Sequence, residues 1–90
     1  MQTAIAQTSG KKMHGGPVSQ AVAGRIRAEL AYQRKTGADL ARHLGLKQAA
    51  LSRRITGYTP IDVDELVGIA TFLDVDVTEL LTDDARAVVA

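Results

Sequence analysis

From residue 19 onward the apolar positions recur at helical rather than alternating spacing, and each run is opened or closed by a residue suited to that end. Val22, Ala23, Ile26 and Leu30 form one stripe, with Ser19 placed to cap the orphan amides of a first turn. This predicts helix 1 over about Ser19 to Lys35. Thr36-Gly37-Ala38-Asp39 reads as a capping box, Leu40 and Leu44 as the buried stripe of a two-turn helix 2, and Gly45 as the positive-φ residue that ends it. Helix 3 is expected over about Lys47 to Thr56, with Leu51 and Ile55 one turn apart and Gly57 as terminator. Asp62-Val63-Asp64-Glu65 repeats the capping logic before Leu66, Val67, Ile69, Ala70 and Leu73 of helix 4. Asp76-Val77-Thr78-Glu79 does so again before Leu80 and Leu81 of a short helix 5. The pattern is all-α.

The ends behave differently. Residues 1–17 mix small and polar residues around a Gly15-Gly16-Pro17 break, without periodicity, and read as a flexible arm ahead of a helical domain over 18–82. Lys11, Lys12 and His14 suit either a basic arm lying along a polyanion groove or plain disorder. Residues 83–90 form a tail whose Ala87-Val88-Val89-Ala90 could extend helix 5, pair as an edge strand or fray, and which is a candidate dimer contact.

Composition narrows the function. Ninety residues with 46% hydrophobic content suffice for one small core, but a domain of this size buries only about 60 to 65% of its unfolded surface and has no room for an elaborate enclosed active site. The absence of cysteine excludes disulfides, thiolate zinc sites and thiol nucleophiles, and fits a reducing compartment. Met1 to Gly10 is too short and too polar for a secretory signal or a membrane span, so a cytoplasmic protein is expected, without membrane contact. Neither His14 nor His43 has a partner at metal-ligand spacing, and the carboxylates sit at helix starts where capping accounts for them. No enzyme activity, cofactor or small-molecule ligand is expected.

The net charge of +1 conceals a dipole along the chain. Residues 1–24 carry +2 from Lys11 and Lys12. Residues 25–59 carry +6 from Arg25, Arg27, Arg34, Lys35, Arg42, Lys47, Arg53 and Arg54 against Glu29 and Asp39. Residues 60–90 carry −7 from eight acidic residues against Arg86. A basic middle would gain from counterion release at a polyanion while an acidic end turns the rest of the surface away; two solvated faces are the plainer explanation.

The chemistry concentrates between Thr36 and Thr59. Two short helices separated by Gly45 and one linking residue, Leu46, have the size and spacing of a helix-turn-helix, whose second helix can lie in a DNA major groove about 12 Å wide. Ala49 and Ser52 would let the backbone approach. Gln48 and Arg53 are planar donors suited to pairs of hydrogen bonds with adenine or guanine edges. Lys47 opposes the macrodipole at a helix start and supplies no cap, a broken local rule that a nearby phosphate would compensate. A solvated lysine tolerated there is the alternative.

The run from Ile26 to Leu81 resembles the lambda-repressor-like (Cro-type, xenobiotic-response-element) helix-turn-helix family. Four stretches carry the likeness: Ala38-Asp39-Leu40-Ala41-Arg42-His43-Leu44-Gly45-Leu46, Ala50-Leu51-Ser52-Arg53, Gly57 with Pro60, and Leu66-Val67-Gly68-Ile69-Ala70-Thr71-Phe72-Leu73. The resemblance implies a compact five-helix DNA-binding domain, helix 3 as recognition helix, and repression of transcription, often in phages and mobile elements, here within the nucleoid of a bacterial host cell. It places Gln48, Ala49, Ser52 and Arg53 at base-facing positions, Lys47 at the first residue of the recognition helix, and Thr36 near the phosphate backbone. Gly37 and Ala38 stand where the family often has a phosphate-gripping glutamine, so that contact is either lost or moved to Arg34 or Lys35. Arg54 and Ile55 stand where an apolar residue and Glu are usual, so Ile55 is expected to pack inward and Arg54 to reach a phosphate.

Tyr58 and Thr59, in the loop after helix 3, have hydroxyls that could donate to the DNA backbone, or form only an exposed turn. Tyr32 and Phe72 are expected in or at the core, and His43 facing solvent or partly packed. The partner implied is a double-stranded DNA operator, bound by a monomer or a homodimer. The other reading is a protein-interaction module, such as an antitoxin, for which the acidic carboxyl-terminal third and the apolar tail speak.

Overall fold

A computed structural model describes residues 15–81, so the arm with Lys11, Lys12 and His14 and the tail from residue 82 lie outside the described residues. Five helices follow in order: α1 (Pro17–Gln33), α2 (Gly37–Leu44), α3 (Gln48–Ile55), α4 (Val63–Leu73) and α5 (Val77–Leu81), with no strand among the described residues. The all-α expectation holds, and every anticipated helix is present.

The ends of the helices show which local signals act. Thr36 caps α2, its hydroxyl accepting from the Asp39 amide at 3.0 Å, and Gly45 closes the same helix at φ 72°. A complete capping box opens α4: the Asp62 carboxylate accepts from the Glu65 amide at 2.7 Å, and the Glu65 carboxylate accepts from the Asp62 amide at 3.1 Å. Helix 1 departs from expectation at both ends. Gly16 is its N-cap and Pro17 its first residue, because proline has no amide to leave orphaned; Ser19 lies inside the first turn and caps nothing. At the far end Arg34 takes the left-handed conformation at φ 58°, which stops the helix at Gln33 rather than Lys35.

The core is one cluster drawn from all five helices: Val22, Ile26 and Leu30 of α1, Leu40 and Ala41 of α2, Leu51 of α3, Ile69, Ala70 and Leu73 of α4, and Leu80 of α5. Leu44, Leu46, Ile55, Leu66 and Phe72 pack around it, half-buried. Tyr32 is not among them. It is 84% exposed, because about 100° per residue carries it some 200° around the axis from buried Leu30, onto the outer face of α1.

Two polar ties hold the carboxyl-terminal end of α1 to that of α4. Gln33 Nε2 donates to the Leu73 carbonyl at 2.8 Å, and Lys35 Nζ donates to the Phe72 carbonyl at 3.0 Å while sitting 4.8 Å above the centre of the Phe72 ring. These carbonyls are unsatisfied by α4 itself, and a cation beside them is favoured by the helix dipole.

Candidate nucleic-acid interface

The α2–turn–α3 unit is built from outside the chain's local preferences as much as from within them. Neither helix exceeds eight residues, too short to persist in water alone, so their mutual pose depends on what they bury. Leu40 and Ala41 anchor α2, Leu46 plugs the turn, and Leu51 (1% exposed) with Ile55 anchors α3. Positions 48, 49, 52 and 53 form two rows of i and i+4 neighbours: Ala49 and Arg53 lie opposite Leu51 and Ile55, and Gln48 and Ser52 lie on the flank that borders α2. All four are exposed. The side chains of Gln48, Ser52 and Arg53 make no hydrogen bond or ion pair with any described residue.

At the start of α3, Lys47 is the N-cap residue in extended conformation (φ −74°, ψ 151°); it is exposed and makes no side-chain cap. The opposite end is closed heavily. Thr56 Oγ1 donates to the Ser52 carbonyl at 2.8 Å, and the amides of Tyr58 and Thr59 both donate to the Arg53 carbonyl, at 2.9 and 3.0 Å. Gly57 makes the turn between them at φ 85°, a conformation that side chains disfavour. Arg27 of α1 donates from Nη1 to the carbonyl of Ile55, the last residue of α3, at 2.6 Å. Sequence reasoning missed Arg27, and no local signal exists to find a contact spanning 28 residues.

The residues expected at the DNA backbone divide into two groups. Thr36 lines one groove with Gln48 and Ser52, at the junction of α2 and α3, and is exposed. Arg34 is exposed, and Tyr58 (39% exposed) and Thr59 stand in the loop that follows Arg53. Lys35 and Arg54 are engaged elsewhere. Lys35 serves the end of α4, as described. Arg54, expected at a phosphate, is a correction: its Nε donates to the Glu65 carboxylate at 2.9 Å and its Nη1 to the Ala50 carbonyl at 2.8 Å, with both members of the ion pair more than four-fifths covered. The turn of α3 that brings Ile55 inward also turns Arg54 toward α4, where the capping carboxylate of Glu65 waits. His43 is exposed, its ring tilted against Phe72 at 5.2 Å, and no group of metal-ligating side chains occurs among the described residues.

Electrostatically the sides separate. Asp74, Asp76 and Glu79 line a cleft between α4 and α5 that includes no residue of α2 or α3. On α2, hydrogen bonds from Thr36, the side-chain one foremost, hold the Asp39 carboxyl below its ordinary value of 3.8 against the opposing effect of desolvation, and Arg42, its ion-pair partner one turn on, adds to the lowering. A depressed carboxyl contributes stability that is complete above its ordinary value and lost as pH falls through the lowered one. Melting temperature is therefore expected to fall on acidification below about pH 4, with Asp39→Asn showing a shallower fall than the parent chain. Equal slopes in a thermal titration by circular dichroism would contradict the assignment.

Comparison with known proteins bears on this arrangement. A family model described as Helix-turn-helix matches residues 25–80, from the middle of α1 to the end of α5. Among solved structures, the fold is similar to that of the clp gene regulator ClgR from C. glutamicum, with a TM-score of 0.73 at 19% sequence identity, covering 80% of this chain and 94% of that one. No curated protein matches the sequence. No helix among the described residues is long and apolar enough to cross a membrane. With its family match over more than half its length and five helices in the expected order, the chain belongs to the lambda-repressor-like helix-turn-helix family of DNA-binding transcriptional regulators.

Proposed function

We propose that the protein is a sequence-specific repressor of the Cro-like or immunity type, of phage or mobile-element origin, acting in the bacterial cytoplasm on nucleoid DNA. The observation that carries this reading is the outer face of α3, which is exposed, basic and slim at Ala49 and Ser52, and whose long polar side chains have no hydrogen-bond partner among the described residues. An eight-residue helix is about 12 Å long, enough to place Gln48 and Arg53 on successive base pairs. In this reading Gln48 and Arg53 read base edges, Ala49 and Ser52 admit the helix to the groove, and Lys47, Arg34, Thr36, Tyr58 and Thr59 meet phosphates on either side. Lys47 then compensates at α3's uncapped amides what it costs the helix dipole.

Anisotropy titrations on random-sequence duplex at two salt concentrations test it. The two cations placed at phosphates, Lys47 and Arg34, with Arg53 in the groove beside them, give a slope of log K against log salt between about −2 and −3. Arg53→Ala is expected to relax base preference at one position by about 1 to 3 kcal/mol. No binding at low salt removes the proposal.

Two symmetric half-sites about 34 Å apart would require a homodimer, for which exposed Leu81 at the end of α5 offers a surface. Sedimentation with and without DNA reads this out. A second reading, a protein-binding module such as an antitoxin, is favoured by the exposed Val63 and Val67 of α4 beside the acidic cleft. It predicts that Arg53→Glu leaves partner capture intact while abolishing DNA binding.

A further inference from the structure

We infer that Arg27 is a positioning residue for the recognition helix, fixing the pose of α3 and through it the discrimination between DNA sequences; this rests on the DNA-reading role proposed for α3. The two ends of α3 are held differently. Its amino end has a cap residue that supplies no side-chain bond, whereas its carboxyl end is fastened to α1 by Arg27. The chain just before α1 is fastened to the same place: the Gly15 amide donates to the Gly57 carbonyl at 3.1 Å, and Gln20 Nε2 donates to the Gly15 carbonyl at 2.9 Å. Position 57 itself packs on Gln20, since a Cβ there would meet Gln20 Cγ at 3.2 Å.

The last carbonyls of a helix lack partners within it and carry the negative end of its dipole, so a guanidinium donating to one of them is the strongest kind of tie available there. Leu51 and Ile55 stop α3 from leaving the core but, as apolar contacts, do not specify rotation about them; directional bonds do, and α3 has two, from Arg54 to Glu65 of α4 and from Arg27 of α1 to the Ile55 carbonyl. Two bidentate base contacts on one short helix tolerate little rotation, whereas phosphate attraction tolerates a good deal.

The experiment compares Arg27→Ala, Arg27→Lys and the parent chain on two probes: a duplex recovered by the parent chain from a random 20-base-pair pool, and a random-sequence duplex, each at two salt concentrations. The expected result is that Arg27→Ala lowers the ratio of selected to random affinity about five- to tenfold, the yield of roughly one solvent-exposed hydrogen bond, with random-duplex affinity and salt slope unchanged. Arg27→Lys, which keeps a cationic donor, restores most of the ratio. Unchanged random binding also shows that the variant is folded; should Arg27→Ala not fold, the same comparison on Arg27→Gln decides. Equal loss on both probes with a slope smaller by about one unit identifies a phosphate contact instead and overturns the inference. So does an unchanged ratio. A parent chain that binds DNA but enriches no sequence removes the base-reading role of α3, a failure visible before any variant is made.

Discussion

Leu51→Ala is expected to destabilise the domain by about 2 to 5 kcal/mol, the range for removing a fully buried leucine side chain and leaving a cavity. Leu51 is 1% exposed and is the one residue of α3 buried outright. A position 37 side chain would already stand 3.7 Å from its Cδ2, so α2 and α3 meet around it. A folded region of this size has a total stability of only about 3 to 10 kcal/mol, and each lost kcal/mol lowers the melting temperature by about 4 to 8 °C. Thermal denaturation should therefore show a fall of about 8 °C at the least, with much of the population unfolded at 37 °C. A change below 1 kcal/mol would mean that α3 does not sit on the core as described.

Glu65→Ala carries the second-largest effect. The Glu65 carboxylate is both the partner of Arg54 and the returning half of the α4 capping box, and its loss leaves a guanidinium more than four-fifths covered without its counter-charge. Unpairing one member of a buried ion pair costs more than deleting both, so about 2 to 3 kcal/mol is expected for Glu65→Ala and less for Arg54→Ala or the double variant. Chemical denaturation of the three chains closes the cycle. DNA binding gives an independent reading of Arg54: with its guanidinium committed to α4, Arg54→Ala should leave the salt slope of binding unchanged. A slope reduced by about one unit would return Arg54 to the phosphate backbone.

Arg54 also illustrates what the chain does and does not disclose before it folds. Features whose partners lie within four residues were legible: the Thr36 cap, the Gly45 stop, the Asp62–Glu65 box, and the inward stripe of Leu51 and Ile55. Each follows from helix geometry alone. Ser19 was misjudged even though the signal is local, because Pro17 two residues earlier makes a better first residue than serine makes a cap. Tyr32 was misjudged because its aromatic character suggested burial while its phase on α1 dictates exposure. Arg54, Lys35 and Arg27 were illegible for a common reason. Their acceptors lie 11, 37 and 28 residues away, and a cation's choice between a phosphate and a remote carbonyl is settled only when helices have packed. The exposure of Gln48, Ala49, Ser52 and Arg53 was thus readable, and the engagement of the cations around them was not.

That outward row has a consequence for how such a protein diversifies. Because the side chains at 48, 52 and 53 make no hydrogen bond within the described residues and position 49 carries only a methyl group, exchanging these four residues does not tax the scaffold. Their variation is free of the epistasis that constrains Leu51 or Glu65. A combinatorial library over these positions should yield mostly folded members, so that, with the base-reading role proposed for α3, specificity would drift toward new targets in single steps without passing through unstable ancestors.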